Sequence, residues 1–231
     1  MSYMPYTSAQ TTALRNGVMH RVYAWMTAGL LVTGAVASYV ANSAELTSLI
    51  FGNPLMFFGL FIVQIIAVIG LSAGINRMSP AMAMAIFTGY AALNGLTLAA
   101  IFLVYTSASI ASTFFITAGT FGAMSLYGFT TKRDLSGVGN IAIMALIGIL
   151  IASIVNIFLR SSGLYWVITY IGVLVFVALT AWDTQKIKHM SQQVSDEASA
   201  GRVAVIGALM LYLDFINLFI YLLRIFGVRR D

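Results

Sequence analysis

Residues 203–223 read VAVIGALMLYLDFINLFIYLL, a run in which Asp214, 11 residues in, is the one charge. A helical membrane span needs about 20 mostly apolar residues. This run is one, and the rest of the chain divides in the same way. Working back from it, a polar segment from Thr184 to Arg202 reads as a loop, and Ser161 to Trp182 is a further span. Leu135 to Leu159 lies before that, opened by Lys132-Arg133-Asp134, with Asp134 placed to cap it. The long uncharged stretch from Met78 to Thr131 is too long for one span, and the polar break Tyr105-Thr106-Ser107-Ala108-Ser109 splits it into two. Ser79-Pro80 and Asn53-Pro54 each pair a capping residue with a proline at the first helical position. The first span is Val22 to Ala44, behind a tail of residues 1–21.

The expected fold is therefore an all-α membrane protein, a bundle of seven transmembrane helices in a single domain over 22–231. The spans run over about 22–44, 54–76, 80–104, 110–131, 135–159, 161–182 and 203–223. The runs are continuous, without the alternation of a strand barrel. Composition agrees: 60% of the 231 residues are hydrophobic and 8% charged, against about 25% charged in soluble domains. Seven spans take about 140 residues, leaving about 90 for tails and short loops. Gly70-x-x-x-Gly74 and Ala118-x-x-x-Gly122 have the spacing of close helix packing.

Several functions are excluded at this stage. The chain has no cysteine, so disulfides, thiolate catalysis and thiolate metal sites are out. Its two histidines, His20 and His189, sit beside basic residues outside the apolar runs, so an imidazole metal cluster is not expected. The net charge of +5 is scattered over span ends, which marks topology and contact with the lipid bilayer rather than nucleic acid. No cleavable signal peptide and no cofactor are expected.

Orientation follows the lysines and arginines. A cytoplasmic N-terminus puts Arg15, Arg21, Arg77, Lys132, Arg133, Lys186, Lys188 and Arg202 inside, and Arg160 alone in the first three outer loops. Arg224, Arg229 and Arg230 break the pattern. Either the last span crosses and leaves them outside, or it is re-entrant; its length favours a crossing.

Asp214 is the sharpest chemical feature, because a carboxylate at that depth costs at least about 2.5 kcal/mol unless it meets a partner or a wet interior. An acid that merely fixes helix register is the plainer alternative, but intramembrane acids usually mark ion or proton pathways. Asn217 and Tyr221 share its helix face. Asp183 is its natural partner. It lies about 7.5 Å deeper than Lys188, and Asp214 about 10 Å deeper than Gly207, at 1.5 Å per residue. Two carboxylates in contact do not both ionise without a large cost, which makes a proton-sensitive pair. Arg77 lies at the right level to pair with Asp183, or is a plain positive-inside anchor. Gln64, Asn94 and Asn156 read as interhelical glue.

Three stretches then stand out together: Thr131-Lys132-Arg133-Asp134-Leu135-Ser136, Trp182-Asp183-Thr184-Gln185-Lys186-Ile187, and Leu211-Tyr212-Leu213-Asp214-Phe215-Ile216-Asn217-Leu218-Phe219. On these the chain resembles the Bax inhibitor-1 (transmembrane Bax inhibitor motif) family over nearly its whole length, and most resembles its bacterial inner-membrane branch. Trp182 departs from the pattern, which usually has tyrosine there.

The resemblance implies a bundle with the last helix central and a calcium leak gated by pH. In it Asp183 and Asp214 form the proton-sensing pair, Arg77 is the latch, and Thr184 and Asn217 give polar support. Calcium or another cation, and protons, are the implied ligands. The two acids offer hard oxygen ligands to calcium but are too few for a full site. Location in the bacterial inner membrane follows from the same resemblance. The alternative is a non-transporting regulator that binds membrane-protein partners in stress or proteolysis control. An enzyme is not expected: an intramembrane aspartyl protease would have glycines where Asp214 has Leu213 and Phe215. A proton-coupled transporter is a further class, since acid pairs also relay protons.

Overall fold

The computed structural model describes residues 8–230 and is helical almost throughout. Its elements are α1 (Ser8–Ala41), α2 (Ala44–Phe51), α3 (Pro54–Gly74), a 3-10 turn (Ile75–Arg77), α4 (Pro80–Val104), α5 (Ser107–Thr130), α6 (Ser136–Leu159), α7 (Ser162–Gln192) and α8 (Glu197–Phe226). All but α2 and the turn are long and apolar enough to cross a membrane, giving seven candidate spans. Burial separates them: 67% of the α8 window is buried, against 11% in α3 and in α6. The last helix is thus the most buried, as the resemblance implied, while α3 and α6 turn most of their surface outward.

The helix starts follow the local chemistry read from the sequence. Asn53 Oδ1 accepts from the Leu55 and Met56 N–H groups at 3.0 and 3.4 Å, with Pro54 next in line. Ser79 Oγ accepts from the Met82 N–H at 3.2 Å ahead of α4. Before α6 the expectation shifts by one residue: the N-cap position is Leu135, with no side-chain cap bond, and Asp134 instead closes the preceding turn by accepting from the Ser136 N–H at 2.9 Å.

Four expectations need correcting. The tail assigned to residues 1–21 is helical from Ser8, because Arg15 donates to the Val194 carbonyl at 3.1 Å and Arg21 pairs with Glu197, which sustains α1 beyond its apolar run. Residues 1–7 of that tail lie outside the described residues. The polar stretch 184–202 is not a loop. α7 continues through it to Gln192 and α8 starts at Glu197, because Ile187, Ala200 and Ala204 bury an apolar face while the charges ride on the other. The short α2, capped by Ser43, was not foreseen. Finally, Gly70 and Gly122 face open space within the chain, while a Cβ on Gly74 would meet the Met78 side chain, so neither motif packs against another helix through both of its small residues.

The chain gathers into two compact units, Met1–Val104 with Ile187–Tyr212, and Tyr105–Lys186 with Leu213–Asp231. In the first, α1 packs along α4, and Val40, Ile50 and Ala99 form a small core under Phe51 and Phe57. Tyr212 of α8 is fully buried there, edge-on to Phe87 and Tyr90 at 5.7 and 5.8 Å. In the second, Phe215 of α8 packs against Phe114 and Phe121 of α5, at 5.3 and 5.4 Å. The segment after α8 pairs back on the start of α5, where the Thr106 N–H donates to the Val228 carbonyl at 2.9 Å.

Candidate functional site

The second unit holds both acids singled out in the sequence. Asp183 on α7 is 8% exposed and Asp214 on α8 is 4% exposed. The charge of Asp183 bears on Asp214, and Lys186 is the cation that acts on Asp183. Lys186 lies over the Trp182 ring at 4.9 Å, so the tryptophan that departs from the family pattern holds a cation one turn from the acid.

Hydrogen bonding around the acids is incomplete. Asp183 Oδ1 and Asp214 Oδ2 are buried with no hydrogen-bond partner, and so is Thr113 Oγ1. Among the described residues these three are the buried side-chain oxygens left unpaired, and all belong to this unit. Buried polar groups are almost always paired, so an unpaired one in a native fold calls for an explanation, which a water, an ion or a catalytic role can each supply.

The neighbours explain why α7 sits where it does. Gln185 accepts from the Leu135 N–H at 2.9 Å and donates to the Arg133 carbonyl at 2.8 Å. One buried side chain thus ties the Trp182-Asp183-Thr184-Gln185 stretch to the Lys132-Arg133-Asp134 turn, which joins two of the three motifs physically. Gly128 and Gly139 let α7 come close: a Cβ on the first would run into the Ala181 carbonyl, and on the second into the Trp182 ring. Thr184 donates to the Thr180 carbonyl at 2.8 Å and lies 3.3 Å from Ser125 Oγ. Asn217 donates to the Leu213 carbonyl of its own helix at 2.8 Å.

Sequence reading missed a buried hydroxyl stripe on α5. Ser109, Thr113, Thr117 and Ser125 are buried at four-residue spacing, interrupted by Phe121. Thr117 bonds back to the Thr113 carbonyl at 2.8 Å. The signal was present in the sequence as Ser and Thr recurring on one face of an apolar span.

Arg77 belongs to the first unit, in the turn that ends α3, and is exposed. Asn94 donates to the Tyr212 hydroxyl at 3.0 Å, which lies 2.6 Å from Thr33 Oγ1. Gln64 donates to the Leu93 carbonyl and lies 3.3 Å from Thr97 Oγ1. Both residues act as glue between helices.

Comparison with known proteins agrees with this picture. The family described as inhibitor of apoptosis-promoting Bax1 matches residues 15–231. The chain is similar to inner membrane protein YbhL of Escherichia coli, with 58% identity over 92% of each chain. It is also similar to a protein of Borreliella burgdorferi, at 44% identity over 96% of each, and to a membrane protein of Streptococcus pyogenes, at 43% over 79% of each.

Proposed function

The chain belongs to the Bax inhibitor-1 family and is a multi-pass inner-membrane protein, and from that premise we propose that it is a pH-sensitive cation leak with calcium as its cargo. The observation that carries this is the pair of buried carboxyls, Asp183 and Asp214, each with an oxygen left unpaired in a candidate span. Such groups are costly in a bilayer and mark ion or proton paths.

In this reading the pair senses protons. Ionised, it attracts a cation and holds the path shut, and Arg77 is that latch by the resemblance alone. Protonation removes the attraction and frees the helix that carries Arg77. Hard carboxylate and hydroxyl oxygens suit calcium. Calcium enters this reading as cargo, since two acids are too few for a full calcium site. The buried α5 hydroxyls of Thr113 and Thr117 belong to the same unit as the acids and add polar groups to its interior. The protein is on this view a transport protein and not an enzyme.

The test is calcium flux into liposomes holding the purified protein, across pH. The parent should leak in a pH-dependent way, and Asp183→Asn and Asp214→Asn should each lose that dependence. A leak that Asp214→Asn leaves unchanged at every pH would sink the mechanism. No flux from the parent, with a membrane protein co-purifying in fixed ratio, would favour a regulator instead.

A further inference from the structure

The arginines that contradict the positive-inside rule have a structural setting. At the end of α6 remote from the Lys132-Arg133-Asp134 turn, a cavity of about 330 Å³ is lined by Asn156, Arg160, Ser161, Ser162, Tyr165 and Arg229. It holds two guanidiniums and no carboxylate among the described residues. Arg224 lies 5.4 Å from the Tyr165 ring centre and 5.0 Å from that of Tyr221, so a third positive charge touches a residue that lines the cavity.

The backbone is arranged for an anion as well. Arg160 ends α6 in the left-handed region, at φ 49°, and the turn is fixed by the Ser161 N–H donating to Asn156 Oδ1 at 3.0 Å. Ser161 then accepts from the Leu164 N–H at 3.3 Å and opens α7. The N–H groups of Ser162 and Gly163 have no acceptor within the helix, and the positive end of the α7 dipole lies beside the two arginines.

The level of the cavity shows where such an anion comes from. Trp166 and Tyr170, stacked at 5.7 Å, are half-exposed beside it, and tryptophan and tyrosine gather at the headgroup level of a bilayer. Ile157, Phe158 and Leu159 lead up to it along α6, with Phe158 82% exposed, and offer an apolar track for acyl chains. Guanidinium groups pair bidentately with phosphate oxygens, which a phospholipid headgroup carries at this level.

We propose that this cavity binds the headgroup of an anionic phospholipid, its phosphate held by Arg160 and Arg229 at the start of α7 and its acyl chains lying along the end of α6. The lipid brings negative charge to a cavity whose described lining holds two guanidiniums and no carboxylate. The site is independent of the acid pair and of any flux.

Native mass spectrometry of the purified full chain, after exchange into vesicles or micelles with phosphatidylglycerol or phosphatidylcholine, tests it. The parent should retain phosphatidylglycerol and not phosphatidylcholine. Arg229→Gln should weaken that retention about fivefold, the effect of the ~1 kcal/mol that one basic residue contributes near an anionic lipid surface. Arg160→Gly should do the same, and glycine also suits the left-handed backbone there, so this variant keeps the fold while losing the charge. Lys132→Gln, at the other end of α6, removes equal charge and should retain lipid like the parent. Equal retention by the parent and both arginine variants overturns the proposal, as does an equal loss in Lys132→Gln. Protection of the parent from heat by inorganic phosphate as strong as that by phosphatidylglycerol would overturn the lipid assignment.

Discussion

Gly128 and Asp183 show how differently two residues of one site announce themselves. Asp183 and Asp214 were legible because charge is scarce here: of seven acids, the other five lie outside the long apolar runs. Gly128 and Gln185 were not legible, since their roles depend on α7 lying against α5 and on the turn before α6, contacts between residues far apart in the chain. At Gly128 a methyl group would meet the Ala181 backbone carbonyl, which cannot rotate away. Gly128→Ala should therefore force α5 and α7 apart next to Asp183 and cost about 2 kcal/mol, the usual range for overpacking. Thermal unfolding in detergent checks this. A variant that melts with the parent would show that the two helices separate freely there.

Among the elements, α8 begins on a titratable cap. Asp196 precedes Glu197 and accepts from the Ser199 N–H at 2.8 Å. That backbone bond, helped by the Ser195 hydroxyl, the Ala198 N–H and the Arg202 charge, holds its carboxyl below the ordinary aspartate range. A depressed value in the folded state means the cap stabilises fully above the unfolded value of about 3.9 and is lost as pH falls through the folded one. The first turn of α8 should thus fray below about pH 4, while Asp196→Asn, which caps without ionising, should fray less in that window. Exchange protection of the Ser199 amide, followed as pH is lowered, reports it; equal loss in the two proteins would refute the cap. The same turn explains why the 184–202 stretch misled. Its polar residues satisfy helix ends and exposed faces, and composition does not separate those from a loop when the buried partners Ile187 and Ala200 are few.

For the whole chain, the seven spans were legible because bilayer thickness sets a length that apolar runs must meet. The sidedness of the last helix was not, since its arginines argue against its length. The structure makes α8 30 residues long, about 45 Å at 1.5 Å per residue, which exceeds the ~30 Å hydrocarbon core. The helix bears Arg224 near its end, stacked on Tyr165 and Tyr221, and Arg229 lines the cavity beyond. Arg224 thus rests on two aromatic rings and Arg229 in a cavity lined by polar side chains, surroundings that are compatible with the crossing expected from the length of α8. The absence of cysteine makes the point measurable, because every introduced thiol reports alone. With the N-terminus cytoplasmic, Lys132→Cys and His189→Cys should react with an impermeant thiol reagent only after the cells are opened. Ser162→Cys and Arg230→Cys should react in intact spheroplasts. If Ser162→Cys labels from outside while Arg230→Cys needs permeabilisation, α8 is re-entrant and its arginines lie in the cytoplasm.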